Sequence, residues 1–212
     1  MTISPVTSSS LADAIDAVLR GRHSIRSYRE EPVPPDVLER VLGAACHAPS
    51  PHHSFPWRLA VLTGPEAKGR LSDAMADRWR ADLSSDGVPA ANIEEEIAKS
   101  RRRLTLSPVV IVGSVYHEPL DEYPDAARQH AETLMAAHSL GAALQNVMLA
   151  AHANGLASCW MCAPVFCSEV VRDALGLDAG LIPHAIVTMG YPLQPPRDRP
   201  RPDLDQIVAL RA

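Results

Sequence analysis

The densest chemistry in this chain lies at residues 22–29. Arg22, Arg26 and Arg29 surround an imidazole, His23, and two hydroxyls, Ser24 and Ser27. In a helix or a turn, Arg22 and Arg26 project to one side, with the Ser24 hydroxyl between them. Planar guanidinium forks with a short neutral donor suit a phosphate dianion. A second basic stretch, Arg197-Asp198-Arg199-Pro200-Arg201, lies near the other end of the chain. Either stretch alone reads as an ordinary solvated turn. Two cationic clusters in a chain of formal net charge -5 point instead to one buried anionic ligand.

Other candidate groups are less specific. Cys159-Trp160-Met161-Cys162 has C-x-x-C spacing, but it sits on or just past an expected strand rather than at a helix start, where redox pairs are activated. No second C-x-x-C or H-x-x-x-H completes a zinc set, so buried packing is the better account and no metal is expected. His52 and His53 stand in a proline-framed loop; as neighbours in an extended loop they point apart, which disfavours a shared metal but leaves one free to meet a ligand ring. His130 and His138 fall on an expected helix as surface or interface residues. G-x-G-x-x-G, a P-loop and a nucleophile elbow are all missing. A reaction run by this chain would therefore draw its reactivity from a cofactor, with the protein supplying position and electrostatics.

The elements that must hold these groups follow from periodicity. The chain has 212 residues, 46% hydrophobic and 21% charged, which is enough for one full core and is read as a single domain over 1–212. Residues 1–10 read as a flexible, polar N-terminus without signal-peptide patterning. No unbroken apolar run reaches membrane length, nucleic acid is not expected at this charge, and the four cysteines read as reduced, so a cytoplasmic location is expected. Helices are expected over 10–20, with Ser10 as N-cap, and over 35–45, 66–83, 89–106, 124–154 and 164–175. Strands are expected over 57–63, 108–115, 156–161 and 184–191. The long helix carries the stripe Leu134, Ala137, Leu140, Leu144, Val147, Met148 and Ala151, and its length suggests a dimer element. Residues 192–212, rich in proline at the start, read as an extended arm that reaches across another surface.

Taken in order, Arg22-His23-Ser24-Ile25-Arg26, Ala48-Pro49-Ser50 with Pro56-Trp57, Gly155-Leu156-Ala157-Ser158-Cys159-Trp160 and the basic tail resemble the FMN-dependent nitroreductase family, over about residues 11–208. The resemblance implies an α+β homodimer: a central mixed or antiparallel sheet flanked by helices, a long central dimer helix, an exchanged C-terminal arm, and FMN between the subunits. It implies that Arg22, His23, Ser24 and Arg26 hold the phosphate and ribityl end, with Arg199 and Arg201 completing the phosphate site. Pro49, Ser50, Pro51 and His53 would come from the other subunit. Lys99 and Arg102 would stand near the pyrimidine edge of the ring, and the backbone at Trp160 and Met161 would face its N5.

The chain departs from the common family pattern at His53 and Phe55 and at Trp160-Met161-Cys162. In Ala48-Pro49-Ser50-Pro51-His52-His53-Ser54, Tyr123-Pro124-Asp125-Ala126-Ala127-Arg128 and Gly155-Leu156-Ala157-Ser158-Cys159-Trp160 it is similar to the nitroreductase-like C-terminal domain of bifunctional coenzyme F420 biosynthesis proteins. It would be a stand-alone version of that domain, without the glutamyl ligase portion. This resemblance implies hydride delivery from reduced FMN to a deazaflavin precursor, with His52 and Arg103 as substrate-binding residues. The alternatives are a general nitroreductase or quinone reductase with an NAD(P)H donor, and a non-catalytic flavin or deazaflavin carrier.

Overall fold

The computed structural model describes residues 8–197 and 199–211, with the side chains of residues 8 and 9 left out. Its centre is a four-stranded, wholly antiparallel sheet of β1 (Trp57–Leu62), β2 (Val109–Tyr116), β3 (Ala157–Met161) and β4 (Leu181–Gly190), in the order β1-β2-β4-β3. The unbroken apolar run of β2 is buried along all but its last residue, as a central strand requires. All four strands occur where the sequence places them. β4 starts three residues earlier than expected, because Pro183 is accommodated at a register shift opposite Gly113 and Ser114.

Helices cover both faces. On one face lie α2 (Pro35–Gly43) and α5 (Ala126–Ala153), where Val41, Leu140, Leu144 and Val147 pack on Ile111, Val187 and Met189. On the other lie α3 (Pro65–Ser85), α4 (Ala90–Thr105) and α6 (Ser168–Leu175), where Leu71, Leu104 and Val171 pack on Val110, Val112 and Ile186. Alternation along β2 and β4 thus divides the apolar residues between two cores. Gly113 lets α5 close on the sheet: a Cβ there would lie 3.1 Å from the δ-carbons of Leu140 and Leu144.

α5 has 28 residues, and Asp125 caps it by accepting from the Arg128 backbone N–H. On average it is apolar enough to cross a membrane, a property hidden from a search for unbroken apolar runs; here it serves as the core helix, its inner face buried against the sheet. Leu134, expected on that inner stripe, is 45% exposed instead. α1 (Ser8–Gly21) begins before Ser10, so Ser10 is inside the helix rather than capping it. The expected flexible N-terminus falls mainly on residues 1–7, outside the described residues. Leu11, Ile15 and Leu19 of α1, spaced a turn apart, are all about half exposed (55%, 52% and 49%). α7 (Leu204–Ile207) also presents Leu204 and Ile207 outward.

The tail lies first along its own chain. Leu193 N–H donates to the Ser27 carbonyl, Arg29 N–H donates to the Tyr191 carbonyl, and an Arg201 guanidinium nitrogen donates to the Arg22 carbonyl at 3.3 Å. At the root of this return Gly190 has no room for a side chain. A Cβ there would stand 2.7 Å from the Pro108 ring and 3.0 Å from Tyr28 Cβ. Gly190→Ala is therefore expected to destabilise the fold by about 1–3 kcal/mol through overpacking, read as a lower urea midpoint with an unchanged m-value.

Candidate functional site

The segment after α1 is extended, not helical. It lies along the free edge of β3, with a bridge between Ser24 and Ser158 and a hydrogen bond from Ile25 N–H to the Ser158 carbonyl at 3.0 Å. In an extended segment alternate residues share a side, so Arg22, Ser24 and Arg26 still fall together, but through a period of two rather than a helical turn. Tyr28 anchors the far end. Its hydroxyl donates to the Ile25 carbonyl at 2.6 Å and meets Thr188 at the carbonyl (3.0 Å) and at Oγ1 (2.8 Å). Burial pushes the Tyr28 phenol well above its ordinary range, which keeps it protonated as a donor.

Two cavities border this segment. One, about 390 Å³, is lined by Arg26, Tyr28, Lys99, Arg102, Arg103 and Leu193, among others. The other, about 150 Å³, has Arg22, His23, His152, Gly155, Ser158 and Pro196 in its wall. The structure places Arg26, Lys99, Arg102 and Arg103 in the wall of the first cavity and Arg22 and His23 in the wall of the second. Ser24 is exposed between the cavities, and Arg201 reaches them through the Arg22 carbonyl. Arg199 is exposed, and Asp198 lies outside the described residues.

The pairing of the cations divides them sharply. Arg78, Arg80, Arg101 and Arg128 each hold a carboxylate. Lys99 is neutralised by Glu95 and Glu96, both at 2.8 Å, so its charge is largely committed within α4. Among the described residues Arg58, Lys68 and Arg197 have no carboxylate partner, and neither do six cations named for the site, Arg22, Arg26, Arg102, Arg103, Arg199 and Arg201. Acidic residues outnumber basic ones in this chain, 25 to 20, so leaving these six cations free favours an outside anion. The Cys159 thiol is pushed up by burial, against the opposing pull of Arg26, Arg103 and Arg22.

β3 offers a second feature. The Ser158 carbonyl points outward to Ile25, while the Cys159 carbonyl accepts from Thr188 Oγ1 on β4. By alternation the Trp160 backbone polar groups point to the same free edge as those of Ser158, and those of Met161 point back toward β4. The Trp160 indole N–H donates to the Cys162 sulfur at 3.0 Å, and Cys46, Cys159, Cys162 and Cys167 are free.

The proline-framed loop stands apart in the single chain. Pro49, Ser50 and Pro51 line an open cavity of about 320 Å³ with Met135, His138, Ser139 and Ala142 of α5, and none of these lines the arginine cavities. His52, His53 and Phe55 take left-handed φ values of 53°, 55° and 46°, so the loop is not extended as expected. Each such residue costs about 1–3 kcal/mol, a strain typical of ligand-contacting loops. Ser50 Oγ accepting from Phe55 N–H, and the His53–Phe55–Trp57 ring contacts, hold it in place.

Sequence reasoning missed Tyr28, Ser139, His152 and Lys68. The last is nearly buried, with its ammonium donating to the Ser107 carbonyl behind the larger cavity. None carries a spacing motif; only tertiary contact brings them to the site.

This sheet, with helices on both faces and a basic extended segment along its edge, defines an α+β protein. The chain belongs to the nitroreductase family, whose model matches residues 19–191. It is 30% identical over 206 residues to an NADH dehydrogenase of Thermus thermophilus, covering 94% of this chain and 96% of the relative. It is 28% identical over 185 residues to the nitroreductase NfnB of Mycolicibacterium smegmatis, covering 79% of each. In fold it is similar to the FMN-dependent nitroreductase NfnB from Mycobacterium smegmatis solved with NADPH. That match has a TM-score of 0.69 and 22% identity, over 95% of this chain and all of the other.

The Tyr28 hydroxyl is the hinge between the arginine segment and β4. Tyr28→Phe removes the donor while keeping the ring, and is expected to cost about 1–3 kcal/mol by leaving the Ile25 carbonyl unpaired. Thermal melts of the two proteins, compared at one pH, measure it.

Proposed function

We propose that this protein is an FMN-dependent oxidoreductase that takes hydride from a nicotinamide dinucleotide and passes it to a nitroaromatic or quinone-type acceptor. The set of unpaired guanidinium groups along the β3 edge carries the reading, because FMN combines a phosphate with a ring system that becomes electron-rich when reduced. Arg22, Ser24 and Arg26, with Arg199 and Arg201 from the tail, would hold the phosphate and ribityl end. Arg102 and Arg103 would lie toward the ring, where fixed positive charge favours developing negative charge. The outward Trp160 backbone would meet the ring edge. Bound FMN would supply the two-electron chemistry that no side chain here provides.

The site reads as half of a pair. Pro49, Ser50, Pro51, His52 and His53 are remote from the arginines of their own chain, so a second copy would bring them over the ring. The exposed Leu11, Ile15 and Leu19 stripe and the outward Leu204 and Ile207 support a homodimer, since burying each such side chain contributes about 1.5–3 kcal/mol. Reduced cysteines support a cytoplasmic setting.

The nicotinamide-linked relatives favour this general reading over the deazaflavin one. The second reading, reduction of a coenzyme F420 precursor, retains one supporting observation: Arg102 and Arg103 are free at the mouth of the larger cavity, where an anionic phosphodiester tail could be met. A non-catalytic flavin carrier is disfavoured by the same relatives.

The purified protein is expected to be yellow, to release FMN on denaturation, and to oxidise NADH or NADPH when a quinone or nitroaromatic is supplied. Arg22→Ala with Arg26→Ala should abolish flavin retention; full occupancy in the double variant removes the phosphate assignment. Titrating the FMN-loaded protein with a deazaflavin at low and high salt separates the two substrates. Tight, salt-sensitive binding that disappears in Arg102→Ala/Arg103→Ala would favour the deazaflavin, because exposed charges are screened within about 8 Å at physiological ionic strength.

A further inference from the structure

The smaller cavity contains a residue that the flavin reading does not need. His152 lies in the last turn of α5 and faces the end of α1, where its imidazole rests on Gly21; a Cβ on Gly21 would stand 2.5 Å from His152 Nε2. Among the described residues the side chains of His152 and His23 make no hydrogen bond and no ion pair. The titratable groups that line this cavity beside His152 are basic. Arg22 and His23 face it from the segment after α1, and Arg201 approaches through the Arg22 carbonyl. On its other sides Arg20 is paired with Asp16, Arg40 is held by Asp36 and Asn154, and β3 contributes the neutral Ser158. Burial, then His23 and Arg22, hold the His152 imidazole below its ordinary value, so it is neutral near pH 7 in the free protein.

We propose that His152 is a binding residue for a phosphate monoester in this cavity, contacting the anion as imidazolium beside Arg22 and His23. A neutral imidazole among cations gains nothing from them, whereas a dianion within the same cavity of about 150 Å³ reverses the local potential. The anion then binds together with a proton: the nitrogen takes a proton from solvent and donates it in a hydrogen bond to a phosphate oxygen. Gly21 belongs to the same device, since only a residue without Cβ lets the ring lie against the helix end. The sign follows from the direction of the shift. Anion binding raises the His152 affinity for protons, so the anion binds more tightly as pH falls from about 8 toward about 6, the span in which imidazole charges.

This inference rests on the FMN reading, and two ligands could bring the phosphate: the FMN phosphate, or the 2′-phosphate of NADPH. FMN and riboflavin affinities are measured on the full-length protein by flavin fluorescence across that pH span, with wild type, His152→Gln and Gly21→Ala compared at each pH so that titration of the phosphate itself cancels. For the FMN source, His152→Gln weakens FMN about tenfold near pH 6.5, the value of one charge-assisted hydrogen bond, and leaves riboflavin unchanged. Gly21→Ala does the same while keeping the helix, because alanine favours it. For the other source, both variants raise the KM for NADPH alone, with NADH and FMN unaffected. Either result upholds the site. Equal FMN affinity and equal NADPH KM in all three proteins at every pH overturn it while leaving the FMN reading intact. Failure of wild type to bind either flavin overturns the FMN reading itself.

Discussion

The pairing of residues 24–28 with the sheet is the constraint on which the site depends. Free arginines repel one another and would scatter if the chain that carries them were loose. Here their backbone is held at one end by the Ser158 carbonyl and at the other by a phenol wedged between Ile25 and Thr188. Neutral hydrogen bonds to the backbone thus keep like charges together without spending carboxylates on them. The returning tail adds a third strap through Ser27 and Tyr191.

The sheet and its helices were readable because burial imposes periodicity. An unbroken apolar β2 fits a strand covered on both faces, and alternation within β4 divides its side chains between two cores. The all-antiparallel topology was less visible, since strand direction depends on connections rather than on any one segment. Residues 22–26 show a different limit. Their side chains were expected on one side of a helix or turn, whereas the segment is extended, because spacing of four residues satisfies both a helical face and an extended edge. At Leu134 the error ran the other way: Glu132 and Ala136 on either side of it are buried, so the residue lies beside the buried face of α5 rather than on it.

The site was legible only where charge or proline marked it. Arg22, Arg26, Arg102 and Arg103 announced themselves by type, and the structure brings Arg26 of the edge segment to one cavity with Arg102 and Arg103 of α4. The committed charge of Lys99 could have been suspected from Glu95 and Glu96, four and three residues earlier on the same helix. The left-handed residues at His52, His53 and Phe55 carry no glycine to betray them, so that loop was read as extended. Tyr28 and His152 are single, ordinary side chains whose significance comes wholly from what the fold places against them.

The uncompensated guanidinium groups also bear on the life of the molecule before any reaction. Crowded positive charge is a standing self-energy carried by the empty protein and relieved when an anion arrives. A ligand that binds only the folded chain adds stability that grows with the logarithm of its free concentration. The cofactor is then a folding partner as well as a reagent. The amount of intact protein in a cell would follow flavin supply, and freshly made chains would be most exposed to unfolding and proteolysis in the interval before they are charged.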